Sequence, residues 1–285
     1  METGSKRAAL TFVLMNLTVY PALAAMTILG ILLFPPAFMI ARITTGLRAG
    51  RIMRLFIWLY GRGWLVIAAP FVRVKCEGFK ENIIGSSSIL VINHLSFFDT
   101  YFMGALPFSD VIFAIRSWPF KMFWYRPFMR LAEYIDVERL GWERTRERCE
   151  RIFSEGGTVL FFPEAHRSRD GRLSRFYSGA FRLSKETGIG LVPLCITGTD
   201  RLLPPGRRLL HPAKVHIRAL RRIAPQAFSG EAGHGDMRKF VKSMMAGHIA
   251  QMIEDEKGSR PRKKSIFQWR ELASPLWSRR GQEPL

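Results

Sequence analysis

At 285 residues and 48% hydrophobic composition, the chain has enough apolar mass to bury a sizeable core, which excludes a disordered polymer and a small disulfide-stapled module. Lys and Arg number 43 against 23 Asp and Glu, a formal charge of +20, so anionic partners are expected: a phospholipid surface, a phosphorylated substrate or nucleic acid. Cys76, Cys149 and Cys195 lie far apart, outside any CxxC or Cys/His cluster, which excludes a zinc module and a disulfide framework and fits free thiols in a reducing compartment.

From Ala8 to Ala41 no charged residue occurs. The run exceeds the roughly 18 to 20 residues that mark a membrane segment, and as one helix it is about 50 Å long against a hydrocarbon core near 30 Å. Pro21 and Pro35-Pro36 then suggest either a kinked, tilted span ending near Phe34 or two short helices dipping into one leaflet. Lys6 and Arg7 precede the run and Arg42, Arg48, Arg51 and Arg54 follow it, which places the following domain on the cytoplasmic face. A cleaved signal peptide ending near Ala22-Leu23-Ala24 is the rival, opposed by the apolar residues that continue beyond it. The aromatic stretch Phe56–Tyr60 and Trp64–Ile67 fits equally a helix at lipid headgroup level and an amphipathic helix packed on the domain.

After Pro70, Val72–Cys76, Ile89–Ile92, Val111–Ile115, Thr158–Phe162, Leu191–Thr197 and Val215–Leu220 are expected as strands, alternating with helical patterns. One such pattern places Trp142, Thr145, Cys149, Ile152 and Phe153 on a single stripe. The fold class is therefore α/β, a mixed sheet covered by helices, with an N-terminal membrane-anchoring helical segment. Three parts are expected: an anchor and interfacial helix over 1–70, a catalytic domain over 71–225, and a C-terminal helix with a basic tail over 226–285. In the tail, Phe267, Trp269 and Trp277 interleave with basic residues from Lys257 to Arg280. Such a tail suits anionic lipid or nucleic acid, and the apolar N-terminus favours lipid, so no nucleic acid is expected.

Two polar clusters follow strands directly. Asn93-His94-Leu95-Ser96-Phe97-Phe98-Asp99 puts an imidazole and a carboxylate five residues apart, a spacing that brings them together only if His94 sits in the turn before a helix. A carboxylate on one ring nitrogen fixes the tautomer and stabilises the imidazolium, which makes His94 a candidate general base. No G-x-S-x-G elbow is present, so the simplest chemistry lets a substrate hydroxyl attack. The second cluster, Phe161-Phe162-Pro163-Glu164-Ala165-His166-Arg167-Ser168, sets an acid and a guanidinium at a strand end, with Arg169, Arg172 and Arg175 close behind, as phosphate binding requires. His211 and His216 lack ligand spacing and a nearby acid, read as surface histidines, and leave no need for a metal.

Together these clusters resemble the glycerolipid acyltransferase family, which includes the 1-acylglycerol-3-phosphate acyltransferases. Its motif N-H-x-x-x-x-D is matched by Asn93, His94 and Asp99; its motif F-P-E-G-x-R-S is matched by Phe162, Pro163, Glu164, Arg167 and Ser168, with Ala165 in place of glycine and His166 in place of the commoner threonine. Tyr134–Arg139 resembles the second motif and Leu191–Leu194 the fourth, while Ser178–Phe181 is similar to a K-x-G-A-F segment with Phe176 or Tyr177 in the lysine region. The resemblance covers residues 72–220. It implies that His94 deprotonates the acceptor hydroxyl, Asp99 orients His94, Arg139 and Arg167 bind the acceptor phosphate, Glu164 helps to hold the glycerol part, and Ser168 belongs to the substrate-binding set.

The implied reaction moves a fatty acyl group from acyl-CoA or acyl carrier protein, a donor substrate rather than a cofactor, to a lysolipid at an anionic membrane surface. The first acceptor is 1-acylglycerol-3-phosphate, giving phosphatidic acid; another lysolipid such as lyso-ornithine lipid is the alternative. Two other readings stand beside it: a lipid hydrolase using Ser96, and a non-catalytic membrane or nucleic-acid adaptor. Ala165 matters for the loop, because a residue with a Cβ resists positive φ.

Overall fold

The computed structural model describes residues 2–79, 87–168, 170–228, 230 and 233–258. Among these residues one sheet holds seven strands: β1 Val72–Glu77, β2 Ser88–Ile92, β3 Val111–Ile115, β4 Ile135–Asp136, β5 Thr158–Phe161, β6 Leu191–Thr197 and β7 Ala213–Ala219. The order is β1-β7-β6-β2-β5-β3-β4. All neighbours are parallel except β6 and β7, so β1 and β7 run opposite to the other five and the sheet is mixed. β2 and β6 are buried along their whole length, as expected of strands covered on both faces.

Six strands match the expected ones to within two residues; β4, only two residues long, is the addition. The helices used below are α1 Glu2–Thr45, α2 Ala49–Ala68, α3 Asp99–Phe102, α4 Trp142–Ser154, α5 Gly179–Thr187 and α6 Gly233–Gly258. Helix α4 buries Thr145, Cys149 and Phe153, the expected stripe. Helix α6 buries Met237, Val241, Met245, Ile249 and Met252 at helical spacing and packs on β6 and α5. The basic tail from residue 259 lies outside the described residues.

Helix α1 is continuous, which favours the single span over two short helices. Its 44 residues run unbroken through Pro21, Pro35 and Pro36, about 66 Å at the standard rise. Each proline removes its own N–H from the ladder and crowds the carbonyl four residues back, and the surrounding turns carry the helix through, as happens in apolar settings. By length and composition Lys6–Thr45 can cross a membrane. One face nevertheless meets the domain: Met15 and Val19 are buried, Asn16 bonds both backbone groups of Leu210 at 2.8 Å, and Phe34 meets Phe56 and Phe128 edge to face.

Helix α2 is packed into the domain through Ile52, Met53, Arg54, Trp58, Trp64 and Leu65. Buried Arg54 pairs with Asp110 at 2.6 Å and Glu133 at 3.0 Å, and Trp58 Nε1 donates to Leu106 O at 3.0 Å. Where α2 meets the Met103–Ala105 turn both sides are glycine: a Cβ on Gly104 falls 2.6 Å from Gly61 C and 2.7 Å from Arg62 N. Backbone thus lies directly on backbone.

His216 also departs from expectation. It is 14% exposed on β7, with Nε2 2.9 Å from Glu77 Oε1, because parallel pairing of β1 and β7 brings the two strands together. His211 stays at the surface against Phe12, with ring centroids 4.7 Å apart.

Candidate active site

β2, β5 and β3 are parallel neighbours, so the segments leaving their carboxyl ends meet at one edge of the sheet. From β2 comes Asn93-His94, from β5 the loop Phe162–Ser168, and from β3 Arg116. Asn93 fixes the first turn by bonding both backbone groups of Ile196, at 2.9 and 2.8 Å. His94 lies in the turn before α3, and Asp99 is the first residue of that helix. His94 Nδ1 sits 2.7 Å from Asp99 Oδ2, which also accepts the N–H groups of Leu95 at 2.6 Å and Ser96 at 2.9 Å. Asp99 is fully buried. Nδ1 is therefore committed, and Nε2 is the ring nitrogen left to take a proton.

The two motif loops are tied through the His94 backbone. Its N–H donates to Glu164 Oε1 at 3.0 Å, and its carbonyl accepts from Ser168 N at 2.8 Å. Glu164 Oε2 accepts from Ser174 N at 2.7 Å and Ser174 Oγ at 2.6 Å. Both carboxylate oxygens are taken by protein donors and the residue is 2% exposed, so Glu164 stands as a positioning residue rather than a contact to glycerol. Ser168 is likewise buried, its hydroxyl within reach of Arg172 O at 2.8 Å and Asp170 Oδ1 at 3.1 Å, which turns it inward rather than to substrate. Ala165 carries φ +58°, so the left-handed conformation is kept by a residue with a Cβ.

His94 opens into a cavity of about 1170 Å³ whose walls are mostly apolar, with Met26 and Phe34 of α1, Phe56 of α2 and Phe128 among them. Its polar lining includes Arg116, Glu138, His166 and Arg167. Arg116 donates to His166 Nε2 at 2.7 Å and pairs with Glu138 at 2.5 Å. The Ser117 N–H, at 2.9 Å, and this guanidinium hold the Glu138 carboxyl below its usual range. Arg139, expected beside the phosphate, lies outside the lining. Its N–H bonds Asp136 Oδ1 at 3.1 Å, and the helical turn Val137–Leu140 leaves its side chain exposed.

Arg116 is the basic residue that sequence reasoning passed over, although it directly follows a correctly expected strand. Ser96, the alternative nucleophile, is 2% exposed and outside the cavity lining, with Oγ facing Phe98 N at 3.4 Å, so it has no access to substrate there. Among the described residues no three His, Cys, Asp or Glu side chains gather to hold a metal ion.

Residues 73–197 match the model of the Acyltransferase family. That segment is similar to the Acyltransferase family. It includes both motif loops, α3 and the Arg116 position. The chain is 28% identical over 217 residues to a chloroplastic 1-acyl-sn-glycerol-3-phosphate acyltransferase of Brassica napus, covering 72% of this chain and 55% of that protein. It is also 28% identical over 218 residues to one from Arabidopsis thaliana, covering 73% and 53%. The chain thus spans about half the length of these relatives. The crystal structure of the 1-acyl-sn-glycerophosphate acyltransferase PlsC from Thermotoga maritima superposes with a TM-score of 0.69 at 21% identity, covering 87% of this chain and 99% of that one, and shows the shared fold.

Proposed function

We propose that the protein acylates the free hydroxyl of 1-acylglycerol-3-phosphate, giving phosphatidic acid, with acyl-CoA or acyl carrier protein as thioester donor. The observation that carries this reading is the His94–Asp99 pair opening into an apolar cavity that also holds Arg116 and Arg167. An acceptor with an apolar tail, a phosphate and a free hydroxyl complements such a site. The names of the relatives support the same acceptor.

In this reaction His94 Nε2 removes the proton as the hydroxyl oxygen bonds to the thioester carbonyl carbon, and Asp99 stabilises the imidazolium. Collapse of the tetrahedral adduct breaks the carbon–sulfur bond, and the thiolate leaves with the proton returned by His94. Arg116 and Arg167 hold the phosphate, a task that suits forked guanidinium groups. We assign residues 1–70 as the membrane anchor, 71–225 as the catalytic part and 226–285 as accessory, with the catalytic part on the cytoplasmic face.

A screen of the purified protein tests the reading, combining lysophosphatidate or lyso-ornithine lipid with acyl-CoA or acyl carrier protein. Turnover of lysophosphatidate that disappears in His94→Ala is the expected result. Turnover confined to lyso-ornithine lipid moves the assignment to that acceptor, and turnover of none removes it.

A further inference from the structure

Trp118, Phe123 and Trp124 are 55%, 80% and 56% exposed, although each large ring gains by leaving water. They belong to one stretch, from the end of β3 to the helix Arg126–Leu131. Met122, Tyr125 and Phe128 of the same stretch line the cavity, so the backbone holds Phe123 outward by turning its neighbours in. Phe123 and Trp124 meet edge to face with centroids 4.8 Å apart. Lys121, Arg126 and Arg130 are exposed beside them, and no acidic residue occurs from Arg116 to Arg130. Exposed aromatic rings among basic residues are the composition of a membrane-interface belt.

A second observation concerns position. The cavity is walled on one side by Trp118, Met122 and Trp124 and on another by Met26, Ile31 and Phe34 of α1. Phe34 also touches Phe128 at 5.9 Å, joining helix and stretch. The same part of α1 exposes Ile28, Leu29, Leu32 and Leu33 at 56% to 66%. The aromatic stretch and the candidate membrane helix therefore flank one cavity, and each also carries exposed apolar side chains.

We infer that Trp118–Arg126 is a second membrane-docking element, seating Phe123 and Trp124 at headgroup level in an anionic phospholipid bilayer while Lys121 and Arg126 meet lipid phosphates. With α1 it fixes the tilt of the domain, and the cavity between them faces the lipid from which an amphiphile enters.

The test uses the full chain with Phe123→Cys carrying a nitroxide, on a Cys76→Ser background, in phosphatidylcholine–phosphatidylglycerol vesicles. Cys149 and Cys195 stay unlabelled because burial pushes each thiol up to about 12. Power-saturation spectroscopy is expected to show the label at 123 several-fold more accessible to oxygen than to an aqueous nickel chelate, whereas the same label at exposed Glu254→Cys favours the chelate. Equal behaviour at the two positions overturns the inference. So does a label at 123 that is immobilised before vesicles are added and unchanged by them, since it then lies against protein. Lys121→Glu with Arg126→Glu should move the label at 123 toward the aqueous value; no movement removes the lipid-phosphate contacts. No turnover is read, so the result is independent of the proposed acyl transfer.

Discussion

His94 and Asp99 meet at 2.7 Å although they stand five positions apart, because His94 stays in the turn while Asp99 opens α3 and its carboxylate reaches back to the N–H groups of Leu95 and Ser96. Asp99→Asn is nearly isosteric: its carbonyl can replace Oδ2, and its amide falls where Oδ1 has no partner among the described residues. Folding should survive at a cost of about 1–2 kcal/mol for the amide left unpaired. Turnover should fall at least about 10²-fold, because the imidazolium loses its counter-charge. Steady-state kinetics beside a thermal melt separate the two effects, and activity within a few-fold of wild type would refute the general-base assignment.

Glu164→Gln leaves an amide nitrogen facing the N–H of either His94 or Ser174, costing about 1–3 kcal/mol. As a positioning residue it should lower kcat with little change in KM for the acceptor. A rise in KM alone would return Glu164 to the glycerol contact.

Arg116→Ala and Arg167→Ala should each raise KM for a phosphorylated lysolipid by about tenfold or more, and less for a neutral one, as loss of a charged hydrogen bond predicts. Arg139→Ala should stay within about threefold, since its side chain lies outside the cavity lining. The reverse ranking would place the phosphate at Arg139.

Ala165 holds φ +58°, which costs a residue with a Cβ roughly 1–2 kcal/mol. Glycine removes that strain and returns part of the gain as chain entropy, so Ala165→Gly should stabilise by about 0.5–1 kcal/mol. A urea titration checks it; a lower midpoint would mean the methyl group packs favourably.

Burial alone would raise the Glu77 pKa, and this is its largest single influence. Hydrogen bonds from Lys75 and Arg218, with the charge of His216, together outweigh it and bring the group to about 2. A carboxyl depressed in the folded state contributes stability that is fully present above its unfolded value near 4.5 and is lost as pH falls toward 2. Glu77→Gln should therefore flatten the acid limb of stability between about pH 4.5 and 2. Parallel limbs in urea titrations would count against the ion cluster.

The strands were legible because β2, β5 and β6 are short apolar runs bounded by turn residues, and the polar segments after β2 and β5 marked His94, Asp99 and Arg167. Strand order was not legible: only with β3 beside β5 does Arg116 reach His166. The partners of Glu164 were not legible, because a motif shows a carboxylate but not its donors, here the N–H groups of His94 and Ser174. In α1 the prolines suggested a kink or two short helices, since local propensity carries no record of the turns that carry the helix past them.

The glycine seat between α2 and the turn after α3 leaves no cushion of side chains between them. A side chain at either glycine would therefore displace α2 from the segment that follows Asp99. Either substitution should thus be felt at the His94–Asp99 pair without touching it.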